Sequence, residues 1–356
     1  MIPIEKLRAV THLITHGPAC PDGISSALIV KDALPDVKVS FMAYNTAEIA
    51  ELKAEPGLLF VDFTPPRDRV AEFVAAGSIC LDHHPTAKDL VDLFVLNGLG
   101  VFGLNEKNEC GAWLAYEYVW RALRILGDEK ARETQAVRDE LGSLRNDDFF
   151  VREFAELAAI RDTWKRGDPR WEAACQQAAE LIFWGYEHRS KAITAGGIPG
   201  WAVRDERLGR HLLDKQLSAA QRSLEESHLI ITGKGTEVWM FQGVSATSDA
   251  AELAEKAVEK TLHDQVGPSQ PDLVVGFHYR QETTAARGSK YRDQLQFSMR
   301  LQFSMRSHAG FDCASFAKAH GGGGHKAAAG FTVEVSPEVS VNPYAMFRLL
   351  LEEFEG

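Results

Sequence analysis

In the first ninety residues short apolar runs alternate with stretches of helical periodicity, and this alternation limits the fold more than any other feature of the chain. "VTHLITH" (10–16) reads as a buried strand. "DGISSALIVKDAL" (22–34) follows as a helix, with Ile24, Leu28 and Ile29 at helical spacing. "VKVSFMA" (37–43) alternates as a strand does, and "GLLFVDF" (57–63) is a continuous apolar run. "PRDRVAEFVAAG" (66–77) opens on Pro and closes on Gly, which frames a helix. "SICLDHH" (78–84) reads as a further strand. Strands and helices in alternation predict an α/β domain with a mostly parallel sheet.

Three of these expected strands end in residues able to bind a metal: His16, Asp62, and the run Asp82, His83, His84. Open α/β sheets bind ligands outside the carboxyl ends of their strands. Three such ends therefore point to one site.

Residues 110–185 read as mainly helical, with a charged helical excursion between residues 127 and 147. "GGIPG" (196–200) is a turn cluster, and 213–231 reads as an amphipathic connector helix. Strand and helix patterns then resume: strands at 236–243 and 272–280, a helix at 248–264 between them, a helix at 312–320, a loop "GGGGH" (321–325) and a closing strand. "LQFSMR" occurs twice in tandem, at 295–300 and 301–306. Six is even, so both copies present the same residues to the same face. Twelve residues of strand span ~40 Å, long for a small domain, so one copy is expected to form an overhang, a bulge or a hairpin arm. The expected organisation is an α/β domain at 1–190, a linker and connector helix at 191–230, and a smaller α/β domain at 231–356, with a cleft between the two domains.

A formal charge of −11 makes a poor general binder of duplex nucleic acid. A short anionic substrate remains compatible with it if bound metals and local basic groups supply the positive field. Five widely spaced cysteines without a CxxC pair argue against a disulfide framework and against a thiolate zinc site. Cys80, Cys110, Cys175 and Cys313 read as small apolar residues. No apolar run is long enough to span a bilayer and the N-terminus lacks a signal-peptide pattern, so a cytoplasmic protein without a membrane partner is expected.

His16, Asp22, Asp62, Asp82, His83, His84 and Asp162 form a mixed carboxylate and imidazole set that suits Mn²⁺ or Mg²⁺. Two such ions sharing a bridging Asp would generate a nucleophilic hydroxide for attack at phosphorus.

"LDHHP" (81–85), "H-x3-C-x-D-G" (16–23), "FVDF" (60–63), "IRDTW" (160–164) and "GGGGH" (321–325) after "SMRS" occur in the order seen in one family. The chain resembles the DHH phosphoesterase superfamily with its associated C-terminal domain, which includes RecJ-like nucleases, nanoRNases that also act as pAp phosphatases, and exopolyphosphatases. The resemblance implies two metals. His16 and Asp62 would hold one, with Cys20 adjacent, and Asp22, Asp62, His83 and Asp162 the other. It implies catalytic positions at His84, on the substrate phosphate or leaving oxygen, and at Asp82, which would orient the imidazoles. It implies substrate contacts from Arg306, Ser307, Gly322, Gly323, Gly324 and His325. The implied activity is hydrolysis of short oligonucleotides or small nucleotide phosphoesters. Polyphosphate hydrolysis is the alternative, as is nucleotide binding without catalysis. The implied partner is a short single-stranded nucleic acid or a small phosphorylated molecule, with homodimerisation left open.

The chain departs from the family pattern at Cys20, where the first motif has an aspartate. A thiolate is a poor ligand for Mg²⁺. The expectation is that the His16 metal is weakly held, with water in place of the missing carboxylate.

Overall fold

The computed structural model describes residues 2–44, 46–126, 135–191, 202, 204–243, 271–285, 295–307, 310–335 and 341–356. The expected turn at 196–200 and the expected helix at 248–264 lie outside them. The chain divides into two compact units, Met1–Leu213 and Asp214–Gly356.

The first unit begins with a short helix α1 (Ile4–Arg8) and then alternates as the sequence predicts: β1 (His12–His16), α2 (Pro21–Ala33), β2 (Lys38–Met42), α3 (Ala47–Glu51), β3 (Leu58–Val61), α4 (Val70–Ala75), β4 (Ile79–Asp82), α5 (Lys88–Leu96) and β5 (Gly100–Phe102). Among the described residues these strands form one five-stranded parallel sheet in the order β2-β1-β3-β4-β5. All four residues of β3 and of β4 are buried, as continuous apolar runs in a parallel sheet should be. Fully buried side chains such as Phe60 contribute roughly 1.5–3 kcal/mol each. Helix α4 is shorter than its sequence frame, because Pro66–Arg69 forms a turn before it. Strand β5 carries no period that the sequence analysis recognised.

Three further helices follow among the described residues. α6 (Gly111–Ala115) runs on through wider π-type turns at 116–120 and 122–126, followed by α7 (Gln135–Asp162) and α8 (Trp171–Ser190). Trp184 on α8 is 37% exposed, so it does not lie in the core.

Helix α9 (Glu206–Glu225) contains the division between the units. It ends earlier than the connector helix expected over 213–231, because His228–Ile231 pairs as strand β6. The second unit continues with β7 (Glu237–Gln242), β8 (Leu273–Ala285), β9 (Leu295–Ser307), α10 (Cys313–Ala319), β10 (Gly323–His325), β11 (Ala328–Val335) and α11 (Pro343–Glu355). Its strands form a mixed sheet in the order β10-β11-β9-β8-β7-β6.

Both copies of "LQFSMR" lie in the single strand β9. β8 pairs with β9 along its whole length, from Leu273↔Ser307 to Ala285↔Leu295. Among the described residues β11 pairs with β9 as far as Val335↔Met299, and Leu295–Ser298 pair with β8. Both copies thus run on in one strand, the second and the end of the first flanked by β8 and β11. "GGGGH" is not wholly a loop, since Gly323–His325 pairs antiparallel with β11. No helix of the described residues is long and apolar enough to cross a membrane.

Candidate metal centre

The ends of β1, β3 and β4 and the start of α2 converge on one cluster at the carboxyl edge of the parallel sheet. At β1, His16 is followed by a turn into α2, whose N-cap is Cys20. The Gly23 N–H donates to Cys20 Sγ at 3.5 Å. Gly23 serves packing more than turning: a Cβ there would lie 1.9 Å from the His16 carbonyl oxygen. The glycine lets α2 press against the end of β1, and this carries Asp22 inward.

Asp22 is gripped by the first turn of α6. The N–H groups of Gly111 and Ala112 donate to its two oxygens at 2.7 and 2.8 Å, and the Cys110 thiol donates at 2.9 Å. Cys110 is therefore a hydrogen-bond donor to the cluster and not merely the small apolar residue expected. Gly111 is required by space, because a Cβ would stand 2.5 Å from Asp62 Cβ and 2.7 Å from Asp22 Oδ2.

Asp62 leaves β3 in the left-handed region, at φ 56°, a conformation that Asp tolerates better than most residues. Its two oxygens face different neighbours. Oδ1 lies 3.3 Å from His83 Nε2, and Oδ2 accepts from Cys20 Sγ at 3.5 Å.

His83 is the meeting point. Its Nε2 lies 3.3 Å from Asp62 Oδ1, 3.6 Å from Asp22 Oδ2 and 3.5 Å from Asp162 Oδ2. Its Nδ1 lies 3.1 Å from Asn105 Oδ1. An amide oxygen only accepts, so an N–H at Nδ1 suits this contact; a cation bound among the carboxylates would then take the place of the proton at Nε2. Asp162 reaches the cluster from the last residue of α7.

Asp82 plays a different part. Its Oδ1 accepts from the backbone N–H groups of His83 and His84 at 2.7 and 3.1 Å and lies 2.7 Å from His84 Nδ1, while Oδ2 accepts from the Thr64 hydroxyl at 2.5 Å. These bonds hold the backbone and the ring that follow. Burial alone would raise the Asp82 carboxyl. The His84 and His83 imidazoles and the Thr64 hydroxyl outweigh it and hold the group far below the usual carboxylate range.

The other acids move the opposite way. Burial, then the neighbouring carboxylate of Asp162, raises Asp22; burial, then Asp22 and Cys20, raises Asp62. His83 is also raised: burial would lower it, but Asp162, Asp62 and Asp22 win. Burial, then the charges of Asp22 and Asp162, pushes the Cys20 thiol up to about 12. Three carboxylates around one imidazole, mostly out of water, carry more negative charge than they neutralise. Such a cluster is costly unless protons or a cation occupy it.

The donor set fits divalent metal. Ligand atoms of Asp22, His83 and Asp162 lie within 4.8 Å of one another, and so do those of His16, Cys20 and Asp62. Asp62 touches both groups through different oxygens, the geometry a shared ligand needs.

The structure thus brings together His16, Cys20, Asp22, Asp62, Asp82, His83, His84 and Asp162. Sequence reasoning missed Asn105, Thr64, Cys110 and Gly111. None belongs to a recognisable motif; "CGAW" could have been found only as a helix start.

In the second unit, Gly322 and Gly324 let β10 lie close on β11. A Cβ on Gly322 would stand 2.1 Å from the Gly330 carbonyl oxygen, and one on Gly324 2.6 Å from that of Ala328. Gly323 pairs with Gly330. His325 stands opposite Ala328, and Ala328 opposite Arg306, so all three face the same side of the sheet. A single methyl separates the His and Arg positions across about 10 Å of sheet. Ser307 Oγ is buried without a hydrogen-bond partner among the described residues.

No family model and no curated protein sequence matches the chain. Among solved structures, it is similar to RecJ from Thermus thermophilus in complex with Mn²⁺, at 16% identity and a TM-score of 0.45 over 99% of this chain and 53% of that one. The chain spans about half the length of that protein. It is similar to the DHH domain of a protein described as a member of a family of ribosomal proteins, at 13% identity and a TM-score of 0.44 over 98% and 87% of the two chains. It is also similar to an uncharacterised protein from Helicobacter pylori, at 13% identity and a TM-score of 0.36 over 97% and 98%. The functional reading is carried by the site's own residues and not by these likenesses. In the order of its motifs, and in the four of them that the first unit brings to one end of its sheet, the chain is similar to the DHH phosphoesterases.

Proposed function

We propose that the chain is a divalent-metal-dependent phosphoesterase of the DHH type that hydrolyses short oligonucleotides or small nucleotide phosphoesters. One observation carries the reading: His83 Nε2 faces Asp22, Asp62 and Asp162 at 3.3–3.6 Å in a buried site. Such a constellation has little structural purpose without a cation, because its like charges repel in a low dielectric.

Asp22, Asp62, His83 and Asp162 would hold one ion, and Asp62 with His16 and Cys20 a second. Bound there, Mn²⁺ or Mg²⁺ would polarise the phosphoryl group and lower the pKa of water. The protein's own groups do the rest. The α6 N–H groups keep Asp22 in place. Asp82 holds the His84 ring by Nδ1, and His84 would donate from Nε2 to a phosphoryl or leaving oxygen. Arg306 and His325 of the second unit would bind an anionic group of the substrate. The net charge of −11 supports a small substrate over a long duplex.

The test is hydrolysis of a dinucleotide, of pAp and of polyphosphate by the purified chain with added Mn²⁺. Turnover of the first two that is lost in Asp62→Ala and His83→Ala is the expected result. Turnover of polyphosphate alone would replace the substrate class. No turnover of any of the three would overturn the enzyme reading.

A further inference from the structure

Cys20 occupies the one position of the cluster that hard-metal chemistry does not explain. The thiol is turned into the site: Sγ, a His16 ring nitrogen and an Asp62 oxygen lie within 4.8 Å of one another, and Sγ is 3.5 Å from Asp62 Oδ2. It sits at the N-cap of α2, a helix of 13 residues, and accepts the Gly23 N–H. In the metal-free site burial and the Asp22 and Asp162 charges hold Cys20 as a thiol, so it is the arriving cation that would make it a thiolate. One imidazole, one thiolate and one carboxylate make a borderline donor set, one short of the four ligands Zn²⁺ usually takes, and suit Zn²⁺, Co²⁺ or Fe²⁺ better than Mg²⁺. The other group, Asp22, Asp62, His83 and Asp162, offers only oxygen and nitrogen.

We propose that Cys20 is a thiolate ligand, and that with His16 and Asp62 it forms the softer half of an asymmetric two-metal centre that selects Zn²⁺, Co²⁺ or Fe²⁺, while the half around His83 takes Mn²⁺ or Mg²⁺. This rests on the two-metal reading above and replaces the weakly held, water-filled site expected from the sequence. Binding the soft ion deprotonates Cys20; the proton goes to solvent and the sulfur pair to the metal.

The test is Co²⁺ titration of the metal-free chain, followed by absorbance, with melting curves to show that each variant is folded. The expected result is a thiolate-to-cobalt charge-transfer band in the near ultraviolet. Cys20→Ser should abolish it while visible cobalt bands from the His83 half persist. Cys110→Ser should retain it, which separates the two thiols nearest the cluster. In Cys20→Asp the band should vanish and the protein should bind a further equivalent of Mn²⁺. Visible cobalt bands without the charge-transfer band, or a band lost in Cys110→Ser but kept in Cys20→Ser, would overturn the proposal and leave the metal centre standing. No cobalt spectrum at all would overturn both the proposal and the two-metal reading.

Discussion

The Asn105 side-chain oxygen lies 3.1 Å from His83 Nδ1, on the side of the ring opposite Asp22, Asp62 and Asp162. An N–H at Nδ1 donating to this oxygen would leave Nε2 free for a cation. Asn105 stands in the turn after β5, and no motif marks it. Outer partners of metal-binding histidines commonly govern metal affinity by orienting the ring. Asn105→Ala should therefore weaken Mn²⁺ binding about 10–100-fold with little loss of folding. Calorimetric titration of Mn²⁺ reads this directly, and unchanged affinity would remove Asn105 from the site.

Gly111 leaves no room for a side chain between Asp22 and Asp62. Gly111→Ala should push the two carboxylates apart. A displacement on the order of 1 Å at a reacting centre costs roughly 10²-fold in rate. Turnover should fall by that order while circular dichroism stays native. Near-normal turnover would show that the N-terminus of α6 does not position Asp22 for chemistry.

His83 and His84 are neighbours with different partners, and their variants should separate. His83→Ala removes the nitrogen that faces three acids, so Mn²⁺ binding should be lost. His84→Ala removes a ring held by Asp82. Mn²⁺ binding should survive, while kcat drops about 10²- to 10³-fold through the loss of a proton donor or charge stabiliser. Equal loss of metal binding in both variants would contradict the division of roles.

The metal-free cluster should make the protein less stable as pH rises. His83 is raised above its usual pKa of about 6.5, so the stability it contributes is complete below that value and is lost as pH climbs through the higher folded value. Asp22 and Asp62 are raised above the usual value of about 4, so they cost stability as pH rises past it. Both effects have the same sign, because the folded metal-free state holds more protons than the unfolded chain. Asp82 is lowered, so its contribution is lost only as pH falls below about 4. Melting curves in chelator should thus fall from about pH 5 to pH 8, and saturating Mn²⁺ should reverse the slope. A metal-free Tm that climbs over this range would argue against the cluster's geometry.

Much of the first unit was legible in the chain because parallel strands buried on both faces must be continuous apolar runs, and the helices between them keep their own period. The motif residues were legible because strand ends are where such sheets bind ligands. Which groups hold those residues in place was not legible. Cys110 and Gly111 reach Asp22 across 88 and 89 positions of sequence, and Thr64 reaches Asp82 across 18. Such contacts arise from packing, which no local period records. The glycines of "DG" and "GGGGH" look like hinges in one dimension. In three dimensions Gly23, Gly322 and Gly324 are places where backbone meets backbone too closely for a Cβ. The direction of the Cys20 sulfur was likewise decided by the tertiary structure. The sequence by itself determined that a thiol stands where the pattern has a carboxylate. That this thiol faces Asp62, 42 positions away at the end of β3, is decided only when β1 and β3 lie side by side in the sheet.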